Sequence, residues 1–293
     1  MTMTYVRDIL KENEITISFE VFPPKTDAGF EKVAKAAGEI AALHPHFMSV
    51  TYSAGGSNNS RNTVEVAGSI QDQHHVPVLA HLTCVSTTKK DVREAMSLYK
   101  KKGIRNIMAL RGDVPQGGRT SEDYMYADEL VADLKSIDPE ICIGGACYPE
   151  GHVECERQSE DIEHLKHKVE AGCDFLTTQM FFDNQLLYQF LYRIREKGIQ
   201  VPVLPGIMPI TNEKQVARSV ALSGSSIPQR FRNMVDRYGS NPEMMKQAGV
   251  VYASEQIIDL IANGVNHIHV YSMNKPEIAA GIMQNLSAIW SQQ

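Results

Sequence analysis

Several apolar stretches of this chain close on side chains that do chemistry. Glu20 sits at the end of the alternating run ITISFEV (Ile15–Val21), where a carboxylate is costly to bury without a partner or a use. The pattern recurs with Thr51-Tyr52, His81, Arg111-Gly112-Asp113, Tyr148 with His152, Gln179, and Tyr271 with Lys275. Together these supply a carboxylate pair, a histidine, an arginine and an amide, groups that move protons, bind anions and orient a substrate. Each also has a plainer reading. Glu20 reads equally as a loop cap or a partner of Lys25, His81 as a core histidine bonded to a carbonyl, Arg111–Asp113 as a turn with a local ion pair, and Gln179 as a satisfied core amide. The functional reading rests on their recurrence at one end of successive strands. His267 and His269 share a strand face as metal-binding pairs do, but they lie toward the start of their strand and read as structural.

The elements that must position these residues follow from periodicity. Alternation over Ile15–Val21 marks a strand, stopped by Pro23-Pro24, which donate no ladder hydrogen bond. Further strands are expected at His46–Tyr52, Pro77–Cys84, Asn106–Gly112, Ile141–Pro149, Asp174–Phe182, Val201–Ile210 and Asn266–Asn274. Helical spacing of apolar residues follows each one: 28–43, a stretch ending near Gln73, Lys89–Lys102, a stretch ending near Ser136, one closed by Ala171-Gly172, Asn184–Lys197, one ending near Leu222, and Lys275–Trp290. Two additional helices, Pro228–Tyr238 and Pro242–Asn263, precede the last strand. Eight strand–helix units at intervals of about 30 residues predict an α/β chain, a single (β/α)8 TIM barrel over 1–293 with extra helices before strand 8. In such barrels the C-terminal strand ends build the site. A doubly wound open sheet is the alternative, and no G-x-G-x-x-G follows any strand to support it. Residues 1–14, with Tyr5, Val6, Ile9 and Leu10 on one side, read as a docking helix.

Composition bounds the function. With 29 basic and 35 acidic residues, net charge −6, and 43% hydrophobic residues, the chain can build a large core and is ill suited to nucleic acid as main partner. No apolar run approaches the ~20 residues that span a bilayer, and the N-terminus lacks a signal-peptide core. Five cysteines without a CxxC pair suit reduced thiols in the cytoplasm. Cys142, Cys147 and Cys155 are close in sequence, but the first two face opposite sides of a strand, so no metal site is expected.

SFEVFPPK, SVTYSAGG, AHLTC, ALRGD, ACYPEGH, LKHKVEAGCDFLTTQMFFD, LPGIMPI and VYSMNK occur in this order along the whole chain. This set resembles the flavin-dependent methylenetetrahydrofolate reductases of bacteria, the short single-domain kind. The resemblance implies FAD across the top of the barrel, NADH or NADPH as co-substrate, a ping-pong mechanism, and a cytoplasmic homo-oligomer without the regulatory domain of larger eukaryotic enzymes. By motif it places Thr51 at the nicotinamide, and Tyr52, Ala54, His81, Arg111, Gly112, Asp113, Ala127, Tyr148 and His152 around FAD. Asp161, His164, His167 and Lys168 complete that set from the fifth helix. Glu20 resembles the general acid that opens the folate imidazolidine ring, Asp113 the carboxylate between flavin and pterin, and Gln179 an amide that meets both substrates. Gln215 and Lys275 match folate contacts. His167 and Lys275 replace arginines of some relatives, and Ser219 an aromatic residue. Two rivals stand beside this reading: a metal-dependent barrel hydrolase, and a folate or flavin carrier without activity.

Overall fold

The structure is a computed structural model that describes residues 5–24, 29–52, 57–114 and 117–290. Lys25 and Ala54 lie outside the described residues. In order, the elements are α1 (Val6–Glu12), β1 (Thr16–Val21), α2 (Phe30–Ala41), β2 (Phe47–Val50), α3 (Ser57–His74), β3 (Val78–Thr83), α4 (Lys89–Lys101), β4 (Asn106–Leu110), α5 (Ala127–Ile137) and β5 (Cys142–Cys147). There follow α6 (Gln158–Glu170), β6 (Phe175–Thr178), α7 (Asn184–Glu196), β7 (Val203–Leu204), β8 (Gly206–Ile207), α8 (Glu213–Ser223), α9 (Gln229–Tyr238), α10 (Pro242–Ala262), β9 (His267–Tyr271), α11 (Pro276–Asn285) and α12 (Ser287–Trp290).

All strand pairings are parallel, and the order is β7-β6-β5-β4-β3-β2-β1-β9-β8. The expected seventh strand is broken in two. Pro205 donates no ladder bond, so β7 pairs only with β6 and β8 only with β9, while the Pro205 carbonyl accepts from the His269 amide. One interrupted segment thus touches both edges, and the sheet becomes a nearly closed barrel, the architecture that the strand–helix repeat predicts. The extra helices before the last strand are present as α9 and α10. The sixth strand stops at Thr178, and Met180 and Phe182 instead pack with Ile210, Phe231, Val235 and Met245 under those helices. The expected closing helix breaks between α11 and α12.

The period-2 alternation of β1 separates two environments. Ile17, Phe19 and Val21 face the surrounding helices in the main apolar core, whereas Thr16, Ser18 and Glu20 face the barrel interior. At the N-terminal end that interior is filled by Phe47, Leu79, Met108, Cys142, Phe175 and Leu204, sealed by Val6, Ile9 and Leu10 of α1. Asn106 anchors this seal, its Oδ1 accepting from the Val6 amide at 2.8 Å. Local sequence fixes the helix starts. Thr88 and Asp91 form a reciprocal capping box on α4, and Asn212 and Gln215 form one on α8.

Candidate functional site

The C-terminal end of the barrel interior holds a cavity of about 170 Å³ with Glu20, His81, Tyr148, Gln179, His269 and Tyr271 in its wall. They are brought together by parallel register: Ser18 pairs with His269 and Glu20 with Tyr271, so alternate residues of β1 and β9 present stacked polar layers. Glu20 Oε2 lies 3.5 Å from Ser49 Oγ, 3.6 Å from His81 Nε2 and 3.8 Å from His269 Nε2. Burial pushes the His81 pKa down to about 4, against the opposing pull of Glu20, so at neutral pH His81 and Glu20 do not form a charged pair. The Tyr271 hydroxyl donates to the Thr178 carbonyl at 2.6 Å. Gly206 permits this packing, since a Cβ there would sit 2.5 Å from the Tyr271 hydroxyl and 2.4 Å from the Thr178 carbonyl.

His269 corrects the sequence reading. Its Cα is at the middle of β9, opposite Ser18, and its ring stands against Glu20, so it belongs to the cavity. Ser18 and Ser49, which bond its two ring nitrogens at 2.8 and 3.3 Å, were not singled out by sequence either. The parallel register and the inward-facing serine at the middle of each strand carried that signal. His267 stays at the lower end, with Nδ1 3.1 Å from Thr16 Oγ1.

A second group lies on the rim after β4 and β5. Gly112 has φ +83°, and a Cβ would sit 3.1 Å from the Thr83 Cβ, so a side chain is disfavoured both by conformation and by space. The turn directs Arg111 toward Glu154, which grips it at 2.6 and 2.9 Å, a bidentate pair of the sort Arg makes with carboxylate or phosphate. The Tyr148 and His152 rings meet edge to face at 4.6 Å, and the Asp161 carboxylate accepts from the His152 amide at 3.3 Å. Burial raises the Tyr148 pKa to about 12 and lowers that of His152, the latter helped by Arg111. Lys168 Nζ donates to the Ala146 carbonyl at 2.8 Å. His164 lies beside the Tyr126 ring, 6.2 Å between centroids, and Ala127 begins α5. Asp113, His164 and His167 are exposed. Thr51 and Tyr52 lie at the end of β2 outside the cavity wall, where burial raises the Tyr52 pKa.

A third group joins the two expected folate contacts. Gln215 Oε1 accepts from the Thr211 amide at 2.7 Å and from the Thr211 hydroxyl at 3.1 Å, while Lys275 Nζ donates to that hydroxyl at 2.8 Å. Thr211, which sequence reading passed over, is the bridge. Gln215 thus serves the α8 cap, and Ser219 is buried within that helix. Among the described residues, no group of histidines, cysteines and carboxylates is arranged to hold a metal ion.

A nearly closed parallel barrel whose titratable residues gather at the C-terminal strand ends is an enzyme scaffold. The particular enzyme follows from sequence similarity. The profile of the family "Methylenetetrahydrofolate reductase" matches residues 5–287. The 5,10-methylenetetrahydrofolate reductase of Pectobacterium carotovorum is 34% identical over 275 residues, covering 94% of this chain and 91% of that protein. "Methylenetetrahydrofolate reductase (NADH) 1" of Arabidopsis thaliana is 31% identical over 97% of this chain, which spans 50% of the plant protein. In fold, the chain is similar to a Clostridium thermocellum protein that binds two copies of 5-methyl-5,6,7,8-tetrahydrofolic acid, with TM-score 0.68, 15% identity, and 98% and 100% of the two chains covered. The chain belongs to the methylenetetrahydrofolate reductase family. Its reaction is the reduction of methylenetetrahydrofolate to methyltetrahydrofolate.

Proposed function

We propose that this reductase carries FAD across the C-terminal end of the barrel, takes hydride from NADH or NADPH, and works by a ping-pong sequence in which the two substrates use one site in turn. The observation that supports this most is the placement of Glu20, a carboxyl set among Ser49, His81 and His269 at the wall of a cavity that, among the described residues, is lined by no lysine or arginine. The residues around it suit a flavin dinucleotide. Arg111 and Lys168 offer a rigid fork and a point charge for phosphate, and His152, Asp161, His164, His167 and Ala127 continue the strip from the cavity toward α5 and α6. Tyr52, Gly112 and Tyr148 border its inner end, with Ala54 proposed there by motif alone. Bound FAD would accept hydride from the nicotinamide and deliver it to the folate one-carbon unit.

The chain's own residues do the rest. Glu20 donates a proton to a nitrogen of the folate imidazolidine ring, which opens to an iminium cation able to receive hydride. A carboxyl that donates must hold a proton, and among the described residues lining the cavity no lysine or arginine stands to favour its charged form. Asp113, at the rim, contributes negative charge that favours the cation. Gln179 orients both substrates, Thr51 meets the nicotinamide, and Gln215 with Lys275 holds the pterin and the glutamate tail. That a protein with this barrel binds methyltetrahydrofolate supports the folate assignment. Among the described residues no helix is long and apolar enough to cross a membrane, and the free cysteines agree with a cytoplasmic enzyme, which we take to be a homo-oligomer.

The test is the visible spectrum of the purified protein. A flavin spectrum that NADH or NADPH bleaches under anaerobic conditions, and methylenetetrahydrofolate restores, is the expected result. Release of FMN, or of no chromophore, from denatured protein would overturn the FAD assignment; a flavin that neither nucleotide reduces would overturn the hydride-donor assignment.

A further inference from the structure

Hydrogen bonds run from the middle of the barrel to Glu20, and their direction is set at the far end. Ser18 Oγ lies 3.1 Å from the Ile268 carbonyl oxygen and 2.8 Å from His269 Nδ1. Ser18 donates its single hydroxyl hydrogen to the Ile268 carbonyl, which can only accept. Ser18 can then only accept from His269, and Nδ1 must carry a hydrogen. Neutral imidazole has one N–H, which leaves Nε2 bare. Ser49 Oγ lies 3.3 Å from that nitrogen, and with the ring neutral Ser49 is its donor. The same Oγ is 3.5 Å from Glu20 Oε2, where it would donate to a carboxylate; with its hydrogen engaged by His269 it cannot. Two acceptors would face each other unless Oε2 bears a proton.

We propose that Ser18, His269 and Ser49 form a directed hydrogen-bond chain, anchored on the Ile268 carbonyl, that keeps the acidic proton on Glu20. His269 and its two serines are positioning residues; they act through Glu20, and their catalytic consequence rests on the reading of Glu20 as the proton donor.

The surroundings agree with a neutral ring. His269 is 2% exposed, stacked 6.3 Å from Phe47 and edge-on to Tyr271 at 5.4 Å, where an imidazolium would be costly without a full partner. The other titratable groups facing Glu20 are His81 from β3, Tyr271 from β9, and Tyr148 across the cavity. His81 is held neutral by burial, and a neutral Nε2 can either donate or accept. Burial keeps both tyrosines protonated, and the Tyr271 hydroxyl is engaged by Thr178. No lysine, arginine or second carboxylate lines the cavity among the described residues, so no fixed charge there holds Glu20 as a carboxylate.

The experiment is ¹⁵N-histidine NMR of the full-length protein at pH 7, with His269 assigned by its loss in His269→Gln. Neutral His269 with hydrogen on Nδ1 is expected; hydrogen on Nε2, or an imidazolium, overturns the proposal. Ser18→Ala removes the acceptor at Nδ1 and should shift His269 to the Nε2–H form. Ser49→Ala breaks the chain nearer Glu20 and should leave the Nδ1–H form in place. In both, reoxidation of flavin by methylenetetrahydrofolate, divided by the rate of reduction by NADH, should fall about tenfold at pH 7, with its pH profile displaced about one unit to the acid side. Unmoved profiles in both variants, with folded protein, would overturn the positioning role. If Glu20→Gln leaves the folate phase untouched, the acid reading fails, and the tautomer result still decides the chain.

Discussion

The two ends of the barrel interior are built by the same strands and solved in opposite ways. At the N-terminal end, Phe47, Leu79, Met108, Cys142, Phe175 and Leu204 interlock and α1 seals them. At the other end the inward positions are Glu20, His81 and Tyr271, each held by a hydrogen bond or a close polar contact rather than by volume. Gly144 marks the contrast: a Cβ there would fall 2.6 Å from the Phe175 ring, so the lower end is packed to the limit of backbone space. Close packing tolerates little change of volume, whereas the upper end leaves a cavity for a substrate. Stability and chemistry therefore sit at separate levels of one set of strands.

The sharpest separation comes from Glu20→Gln. Glutamine keeps the volume and supplies no acidic proton, so flavin reoxidation by methylenetetrahydrofolate should slow by about 10²–10⁴-fold, while reduction by NADH survives. Stopped-flow absorbance of the flavin reads both phases; equal slowing of the two would dissolve the distinction. The converse change is Phe175→Ala. It should cost about 3–5 kcal/mol of stability in denaturant unfolding and leave the ratio of the two phases unaltered. A changed ratio would show that the lower plug sets the geometry of the upper site.

The pH dependence of stability separates the two ends again. His81 has a pKa near 4 in the folded chain and about 6.5 when unfolded. Between those values the unfolded chain binds the proton and the folded chain does not, so stability rises with pH across this window and is lost as pH falls through it. The full difference is worth up to about 3 kcal/mol. His81→Gln should flatten unfolding midpoints between pH 6.5 and 4; an unchanged slope would assign acid sensitivity elsewhere.

The sequence made much of this legible because parallel barrels place titratable residues at predictable strand ends. Glu20, His81, Tyr148 and Gln179 were found that way, since period-2 alternation sends them inward. His269 was misjudged because height within one strand is not height within a barrel: side-chain length and the pairing of Ser18 with His269 lift the ring toward Glu20. The break at Pro205 escaped notice because the flanking residues are as apolar as an unbroken strand. Thr211 and Glu154 carried no periodic signal at all, since their roles depend on how loops return over the rim.

Glu154 and Arg111 make the rim testable. The carboxylate holds the guanidinium that the proposal gives to phosphate, so the two anions compete. Glu154 is half-exposed, and an ion pair of that kind is worth about 1 kcal/mol or less. Glu154→Gln should therefore tighten FAD binding to the apoprotein by about fivefold or less, measured by flavin fluorescence quenching. Weaker binding would mean that the pair orders the rim for the cofactor instead.

The smallest effect is expected at Lys275. Its ammonium donates to Thr211, whose hydroxyl in turn donates to Gln215, so the cation is already oriented at the edge of the site before a substrate arrives. Lysine offers a point charge without the fork of arginine, and a contact with a mobile glutamate tail stays in water. Lys275→Met should weaken methylenetetrahydrofolate binding severalfold, about 1 kcal/mol or less, with reduction by NADH unchanged. Titrating the folate dependence of reoxidation reads the first quantity, and the rate of flavin bleaching reads the second. Thr211→Val provides the control, because it removes the bridge and keeps the charge. If Thr211→Val reproduces the whole loss, Lys275 acts by ordering Gln215 and the α8 cap, and the tail contact is withdrawn; if only Lys275→Met lowers affinity, the charge itself meets the substrate.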